Sequence, residues 1–155
     1  MSPGNGDVDP FIVLYRSEYP GMVRLAHALT GDPGTAEDIV QEAFLRVRRH
    51  LGGTDAPGGY LRTTVVNLCR DRARSRRREQ GVGLMMQSRS ALSMETTDLM
   101  DVLLRLPYRQ RAVLVLRYWA DWTEADIAEA LHCRPGTVKT LASRGLARLK
   151  REVEP

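Results

Sequence analysis

Helical periodicity of apolar residues runs through almost the whole chain and lapses over one internal stretch, residues 79–96. That pattern leaves little choice of fold. No segment shows the period-two alternation of a strand, and no segment repeats another. Punctuation residues mark the helix ends. Asp9 stands as a cap before Pro10 at a first helical position, and Asp32-Pro33 repeats the signal. The first helix is predicted from Pro10 toward Leu29, broken at Pro20-Gly21 and closed by Gly31. The second runs from Pro33 to about His50 and ends at Gly52-Gly53. A loop through Gly59 precedes a third long helix, predicted from Tyr60 to Arg78. Residues 79–96 mix Gly, Gln, Ser and Met and read as a linker.

Helical pattern resumes near Asp98. Pro107 starts a helix that reaches Trp119 to Asp121. Thr123 with Asp126 three residues on resembles a capping box for a short helix, Glu124 to Leu131. His132 to Pro135 turns the chain into a last helix through Glu152. The expected fold class is all-α: two small helical domains, residues 9–78 and 97–155, joined by a flexible linker over 79–96. Residues 1–8 are expected to be disordered. Units of about 70 residues are each marginal alone.

Charge separates the segments further. Residues 60–78 carry seven arginines against one aspartate, and residues 132–155 carry six basic groups against two acidic ones. The remainder is acidic or neutral, and the whole chain is +4. Two basic segments of this kind are the electrostatic footprint of a polyanion partner, or else two solvated helix faces. The last helix divides into two sides. Val138, Ala142, Gly145, Leu146 and Leu149 form an apolar stripe, while Thr137, Lys139, Thr140, Ser143, Arg144, Arg148 and Arg151 lie opposite. A short capped helix, a tight turn and such a helix make a helix-turn-helix, whose polar side offers cations to phosphates and short hydroxyls to base edges. The alternative is an ordinary amphipathic hairpin.

On the third helix Leu61, Thr64, Val65 and Leu68 form the buried stripe, and Thr63, Asn67, Arg70 and Arg74 recur on the opposite face. Those residue types contact a nucleic-acid backbone and read bases. On the second helix Ala36, Ile39, Val40, Ala43, Phe44 and Val47 face the core, while Asp38, Gln41, Glu42 and Leu45 share the outer side. An exposed leucine among acidic and amide groups suggests a protein partner, although single exposed apolar residues are also common.

Several classes are set aside. No run approaches the ~20 apolar residues of a membrane span, and the N-terminus has no signal-peptide pattern. Cys69 and Cys133 make no disulfide framework, and no His/Cys spacing suits zinc. There is no nucleophile elbow and no glycine-rich phosphate loop, so no enzymatic chemistry, cofactor or metal is expected. Trp119 and Trp122 are expected as core and lid of the second unit rather than as a stacking platform. The expected setting is cytoplasmic.

The stretches LTGDPGTAEDIVQEAFLRV, YLRTTVVNLCRDRARSRRRE and LPYRQRAVLVLRYWADWTEADIAEALHCRPGTVKT, followed by SRGLARLK, resemble the group 4, or extracytoplasmic-function (ECF), sigma factors of bacterial RNA polymerase, in particular actinobacterial members. They cover most of residues 9–78 and 97–152 in the order region 2, linker, region 4. The resemblance implies that Asp38, Gln41, Glu42 and Leu45 bind the clamp helices of the polymerase β′ subunit, and that the second unit meets the β flap. It implies that Asn67, with the loop from Leu51 to Tyr60, holds a flipped −10 base, and that Arg62, Thr63, Arg70 and Arg74 contact −10 DNA. It implies −35 reading by Thr137, Lys139, Thr140, Ser143, Arg144 and Arg148. An anti-sigma factor is a further implied partner. Three residues depart from the family: Arg48 where a Trp is frequent, Leu141 where many members have Arg, and Ala142 in place of a larger apolar residue. The chain ends at Pro155, so no added sensory domain is expected. A stand-alone DNA-binding regulator shares the helix-turn-helix and the basic helix, but does not require the acidic face.

Overall fold

The structure, a computed structural model, describes residues 8–53, 55–80 and 97–153. The described residues form helices and turns, with no strand among them. The first three helices are α1 (Pro10–Thr30), α2 (Pro33–His50) and α3 (Pro57–Gln80), with a 3₁₀ turn at Leu51–Gly53. Four more follow: α4 (Thr97–Arg105), α5 (Tyr108–Leu114), α6 (Glu124–Leu131) and α7 (Pro135–Val153). Both expected aspartate caps form. Asp9 Oδ1 accepts from the Phe11 N–H at 2.9 Å, and Asp32 Oδ2 accepts from the N–H and hydroxyl of Thr35 at 3.2 and 2.6 Å. The residues expected in the linker fall, from 81 to 96, outside the described residues, as do residues 1–7 of the N-terminal segment.

The first three helices pack as one layer set around Leu25, Leu29, Val40, Val47, Leu61 and Val65, all buried. Phe11, Tyr15, Tyr19 and Phe44 extend that core at one end, with Tyr15 and Tyr19 stacked at 4.9 Å between centroids. The expected break at Pro20 does not occur; α1 runs through it. Pro20 and Arg16 both lie on the exposed side, where a carbonyl that loses its helical partner can be solvated. The two halves of the helix bury Tyr19 and Leu25 in the same core, and tertiary packing keeps them collinear. α3 also starts earlier than Tyr60: Pro57 supplies the first helical position and the Tyr60 N–H reaches the Ala56 carbonyl at 3.0 Å.

In the second unit, α5 ends in a wide turn over Val115–Trp119, where the Ala120 N–H donates to the Val115 carbonyl at 3.0 Å in an i→i+5 pattern. α6 then docks on α7. Val138, Ala142 and Gly145 are buried as expected, but Leu146 is 41% exposed. The stripe is shifted toward its other edge, where Leu141 packs against the core. Trp119 likewise points outward, 51% exposed, while Trp122 packs on the core. A Cβ at Gly145 would stand 3.1 Å from Leu114 Cδ1 and 3.3 Å from its Cγ, so α5 and α7 approach at a distance only glycine permits comfortably. Gly145→Leu should therefore destabilise the fold by about 1–3 kcal/mol through overpacking. Urea denaturation followed by circular dichroism measures it.

The two units share one contiguous hydrophobic cluster. Leu29, Cys69 and Arg70 from the first unit meet Leu104, Tyr108, Arg111 and Ala130 from the second along a seam. Gly31 sits in that seam. Its φ of +79° closes α1, its N–H reaches the His27 carbonyl at 2.7 Å, and a Cβ there would lie 2.7 Å from Leu104 Cδ2.

Candidate nucleic-acid and partner interfaces

The acidic helix α2 places its residues as its periodicity demands. Ala36, Ile39, Val40, Ala43, Phe44 and Val47 are buried, and Asp38, Gln41, Glu42 and Leu45 are exposed together. Leu45 is 53% exposed, beside Glu42, which pairs with Arg46 at 2.9 Å. Arg48 lies over the Phe11 ring, 5.4 Å from its centroid. The cation covers the aromatic cluster that a larger apolar residue would otherwise cover.

On α3, Leu61, Thr64, Val65, Val66 and Cys69 are buried, which leaves Arg62, Thr63 and Arg74 exposed and Asn67 and Leu68 half-buried. The Thr64 hydroxyl turns back onto the Tyr60 carbonyl at 2.7 Å, so that buried polar group is satisfied within the helix. Arg62 approaches Glu18 at 3.7 Å, a loose pair in solvent. Arg76 ties the end of α3 to the start of α2, 3.9 Å from Asp32 and 3.4 Å from the Thr35 hydroxyl. Arg70 departs from the open face to which its spacing assigns it. Its Nη1 donates to the Ala130 carbonyl of α6 at 2.8 Å, and its Nη2 lies 3.3 Å from Asp71.

α7 is positioned from three sides. The Thr123 hydroxyl accepts from the Asp126 N–H at 3.1 Å and starts α6. His132, at φ +54°, closes α6 in the left-handed region, and Pro135 opens α7. Glu124 then takes Arg117 at 2.6 Å and reaches toward Lys139 at 3.9 Å, linking the turn after α5 to α6 and α7. Lys139, Thr140, Ser143, Arg144 and Arg148 are exposed in one row and Thr137 is half-buried. The row presents cations and short hydroxyls on a rigid helix, the arrangement that suits a major groove.

Between the two units lies a cleft of about 470 Å³. Arg70, Arg74 and Arg77 of α3 face Arg109, His132 and Leu141 of the second unit across it. Beneath it, Arg111 is only 7% exposed. Its guanidinium donates to the carbonyls of Leu29 at 2.9 Å, Leu106 at 3.2 Å and Leu104 at 3.3 Å. Burial pulls its pKa below the ordinary value, though a guanidinium stays protonated. Burial pushes the Cys69 thiol up to about 12, so this cysteine is inert packing rather than a nucleophile. The Tyr108 phenol is pushed up by the same burial. Sequence reasoning missed Arg111 altogether, because "RQRAVLVL" reads as a polar start to an apolar helix. Its one signal was a cation inside the apolar stripe of α5. Among the described residues no group of His, Cys, Asp and Glu is arranged to hold a metal ion.

Comparison with known proteins decides the family. The Sigma-70 region 2 family matches residues 14–79, and the Sigma-70 region 4 family matches residues 96–149. An RNA polymerase sigma-E factor of Streptomyces avermitilis is 31% identical over 97% of this chain and 88% of its own length. The chain belongs to the ECF sigma factors of the sigma-70 family. The ECF RNA polymerase sigma factor SigL of Mycobacterium tuberculosis is 34% identical over 82% of this chain and 79% of its own length. Among solved structures, the sigma factor RpoE of Bartonella quintana, crystallised with the anti-sigma factor NepR, shares the fold at a TM-score of 0.74. It is 23% identical, over 95% of this chain and 98% of its own. The sigma factor SigJ of Mycobacterium tuberculosis matches at a TM-score of 0.66 and 27% identity, over 89% of this chain and 52% of its own. Sigma factors are transcription initiation factors rather than an enzyme class. This one acts as an alternative sigma factor that joins core RNA polymerase and promoter DNA. No helix among the described residues is long and apolar enough to cross a membrane.

One ionisable group outside the basic faces reports on the first unit. Burial lowers the His27 pKa below 6.5, against the pull of Asp32, and its Nε2 has no hydrogen-bond partner among the described residues. The folded chain therefore holds His27 neutral while the unfolded chain protonates it near pH 6.5. Its share of stability is full above that pH and is lost as pH falls toward the lower folded value. Asp32, itself lowered from 3.8 by the Thr35 hydroxyl, stays ionised throughout that window. The melting temperature should fall from pH 7.5 to 5.5, and His27→Gln should flatten that dependence. An unchanged slope in the variant would remove His27 as its source.

Proposed function

We propose that this sigma factor divides its work by helix. The first unit, residues 9–78, carries the polymerase and −10 contacts. Asp38, Gln41, Glu42 and Leu45 of α2 take the β′ clamp helices, because they form an exposed acidic face around one exposed leucine on a helix whose other side is buried. Arg62, Thr63, Asn67, Arg70 and Arg74 of α3 take −10 DNA, with Asn67 at the pocket for an unstacked base. The second unit, residues 97–155, reads the −35 element through Thr137, Lys139, Thr140, Ser143, Arg144 and Arg148 and meets the β flap. The observation that carries the division is the pair of basic helices, each anchored by a buried stripe and each presenting exposed cations.

The chain performs no covalent chemistry in this reading; polymerase synthesises the RNA, and both work in the cytoplasm. An anti-sigma factor restrains it, as the exposed acidic and basic faces would allow. Leu141, half-buried against the core, supplies no −35 contact.

Purified chain mixed with bacterial core polymerase should form a stable complex and start transcription of genomic DNA at new, discrete sites. Failure to bind core polymerase, together with specific duplex binding by the free chain, would favour a stand-alone regulator. Arg144→Ala should weaken binding to the mapped upstream element by about 1–3 kcal/mol, read by fluorescence anisotropy, if the guanidinium contacts a base.

A further inference from the structure

We propose that the cleft between the two units is a binding site for a small molecule carrying two or three linked phosphates. The cleft, about 470 Å³, is lined by Arg70, Arg74 and Arg77 of α3 and by Arg109 of α5, together with His132. No aspartate or glutamate is among its lining residues. Elsewhere the arginines of this chain find acids. Arg46 pairs with Glu42, Arg62 with Glu18, Arg105 with Glu152 and Arg117 with Glu124. In the cleft only Arg70 has one, exposed Asp71 at 3.3 Å. Arg74, Arg77 and Arg109 make no ion pair or hydrogen bond among the described residues. Like charges gathered around a void repel one another, and a bound anion turns that repulsion into attraction.

Unsatisfied polar atoms point to the same guest. Three lining residues each hold a buried polar atom with no hydrogen-bond partner among the described residues: Arg70 Nε, the Tyr108 hydroxyl and Gln110 Oε1. Buried polar groups are seldom left so, and three around one cleft mark a place for a polar ligand. Burial pushes the Tyr108 pKa up, so the phenol keeps its proton and donates. The Arg70 Nε–H is a donor too, and turning over the Gln110 amide offers its NH2 group in place of the oxygen. Guanidinium forks match phosphate oxygens in pairs. A single phosphate brings about two negative charges at pH 7, so four guanidiniums call for a phosphate chain. Leu131 and Leu141 give the cleft an apolar wall, against which a nucleobase packs if the ligand is a nucleotide. A DNA duplex is far wider than the cleft, and Tyr108, Arg109, Gln110 and His132 belong to neither DNA face assigned above. Arg70 and Arg74 do belong to one, but the phosphate site does not rest on that assignment.

Isothermal titration calorimetry of the full chain tests the site with tripolyphosphate, ATP, GTP and sulfate at about 150 mM salt. Tripolyphosphate should bind one-to-one and at least about ten-fold tighter than sulfate. Arg109→Ala, at an exposed position, should weaken it about ten-fold, and Tyr108→Phe, which removes only the hydroxyl, about five-fold. Arg72→Ala, exposed on the same α3 but outside the cleft, should change it by less than about two-fold. Circular dichroism checks that each variant is folded. A nucleotide that binds tighter than tripolyphosphate identifies a nucleotide as the ligand, read by the apolar wall. Affinity no better than tripolyphosphate identifies the phosphate chain alone. Sulfate binding as tightly as tripolyphosphate, or equal losses in Arg72→Ala and Arg109→Ala, would overturn the site and leave general attraction to a basic surface. No binding of any polyphosphate would overturn it outright. The titration contains neither DNA nor polymerase, so its failure leaves the sigma assignment intact, and a failure to bind core polymerase leaves the cleft result intact.

Discussion

A single guanidinium, that of Arg111, organises the seam on which the arrangement of this chain depends. Burying a cation costs several kcal/mol, and three carbonyls offset that cost through charge-assisted hydrogen bonds of about 1.5–3 kcal/mol each. The balance is specific rather than generous. Leu104 and Leu106 belong to the second unit with Arg111, and Leu29 lies near the end of α1 in the first, so the bond to Leu29 is the one of the three that needs both units in place. Around the cation, Cys69 and Tyr108 are buried and held in their neutral forms. A hydrophobic residue at 111 could fill the space, but it would leave three carbonyls without a partner in the interior.

The architecture follows from what each unit can bury alone. Three helices with small and β-branched core residues, Ala36, Ile39, Val40, Ala43, Val47, Val65 and Val66, pack closely but enclose little volume. The second unit is smaller still. Joining their cores into one cluster gives each unit apolar surface it lacks. The same joining draws Arg70 from the basic face of α3 to the Ala130 carbonyl.

Much of this was legible in the residues. The caps at Asp9, Asp32 and Thr123, the prolines at 10, 33 and 135, and the core stripes of α2 and α3 follow from local chemistry and helical spacing, and the structure has them. The exposure of Asp38, Gln41, Glu42 and Leu45, and of Lys139, Thr140, Ser143, Arg144 and Arg148, follows from the same spacing. Pro20 misled, because a proline signals a break only when nothing distant holds the two halves in line. Leu146 misled, because a helix stripe has two edges and only the neighbouring α5 selects which is covered.

The sequence by itself determined the all-α class, the helix limits to within a turn or so, the two basic faces and the membership of the family. These depend on interactions between residues a few positions apart, or on motifs that lie within one helix. Tertiary structure alone decided that the units touch, that Arg111 is buried between them and that Arg70 faces Ala130 rather than solvent. Those contacts join residues 60 and 82 positions apart, and a cation inside an apolar stripe does not by itself separate Arg111 from exposed Arg109 and half-buried Arg117. Packing chooses among them because only one has three backbone carbonyls within reach.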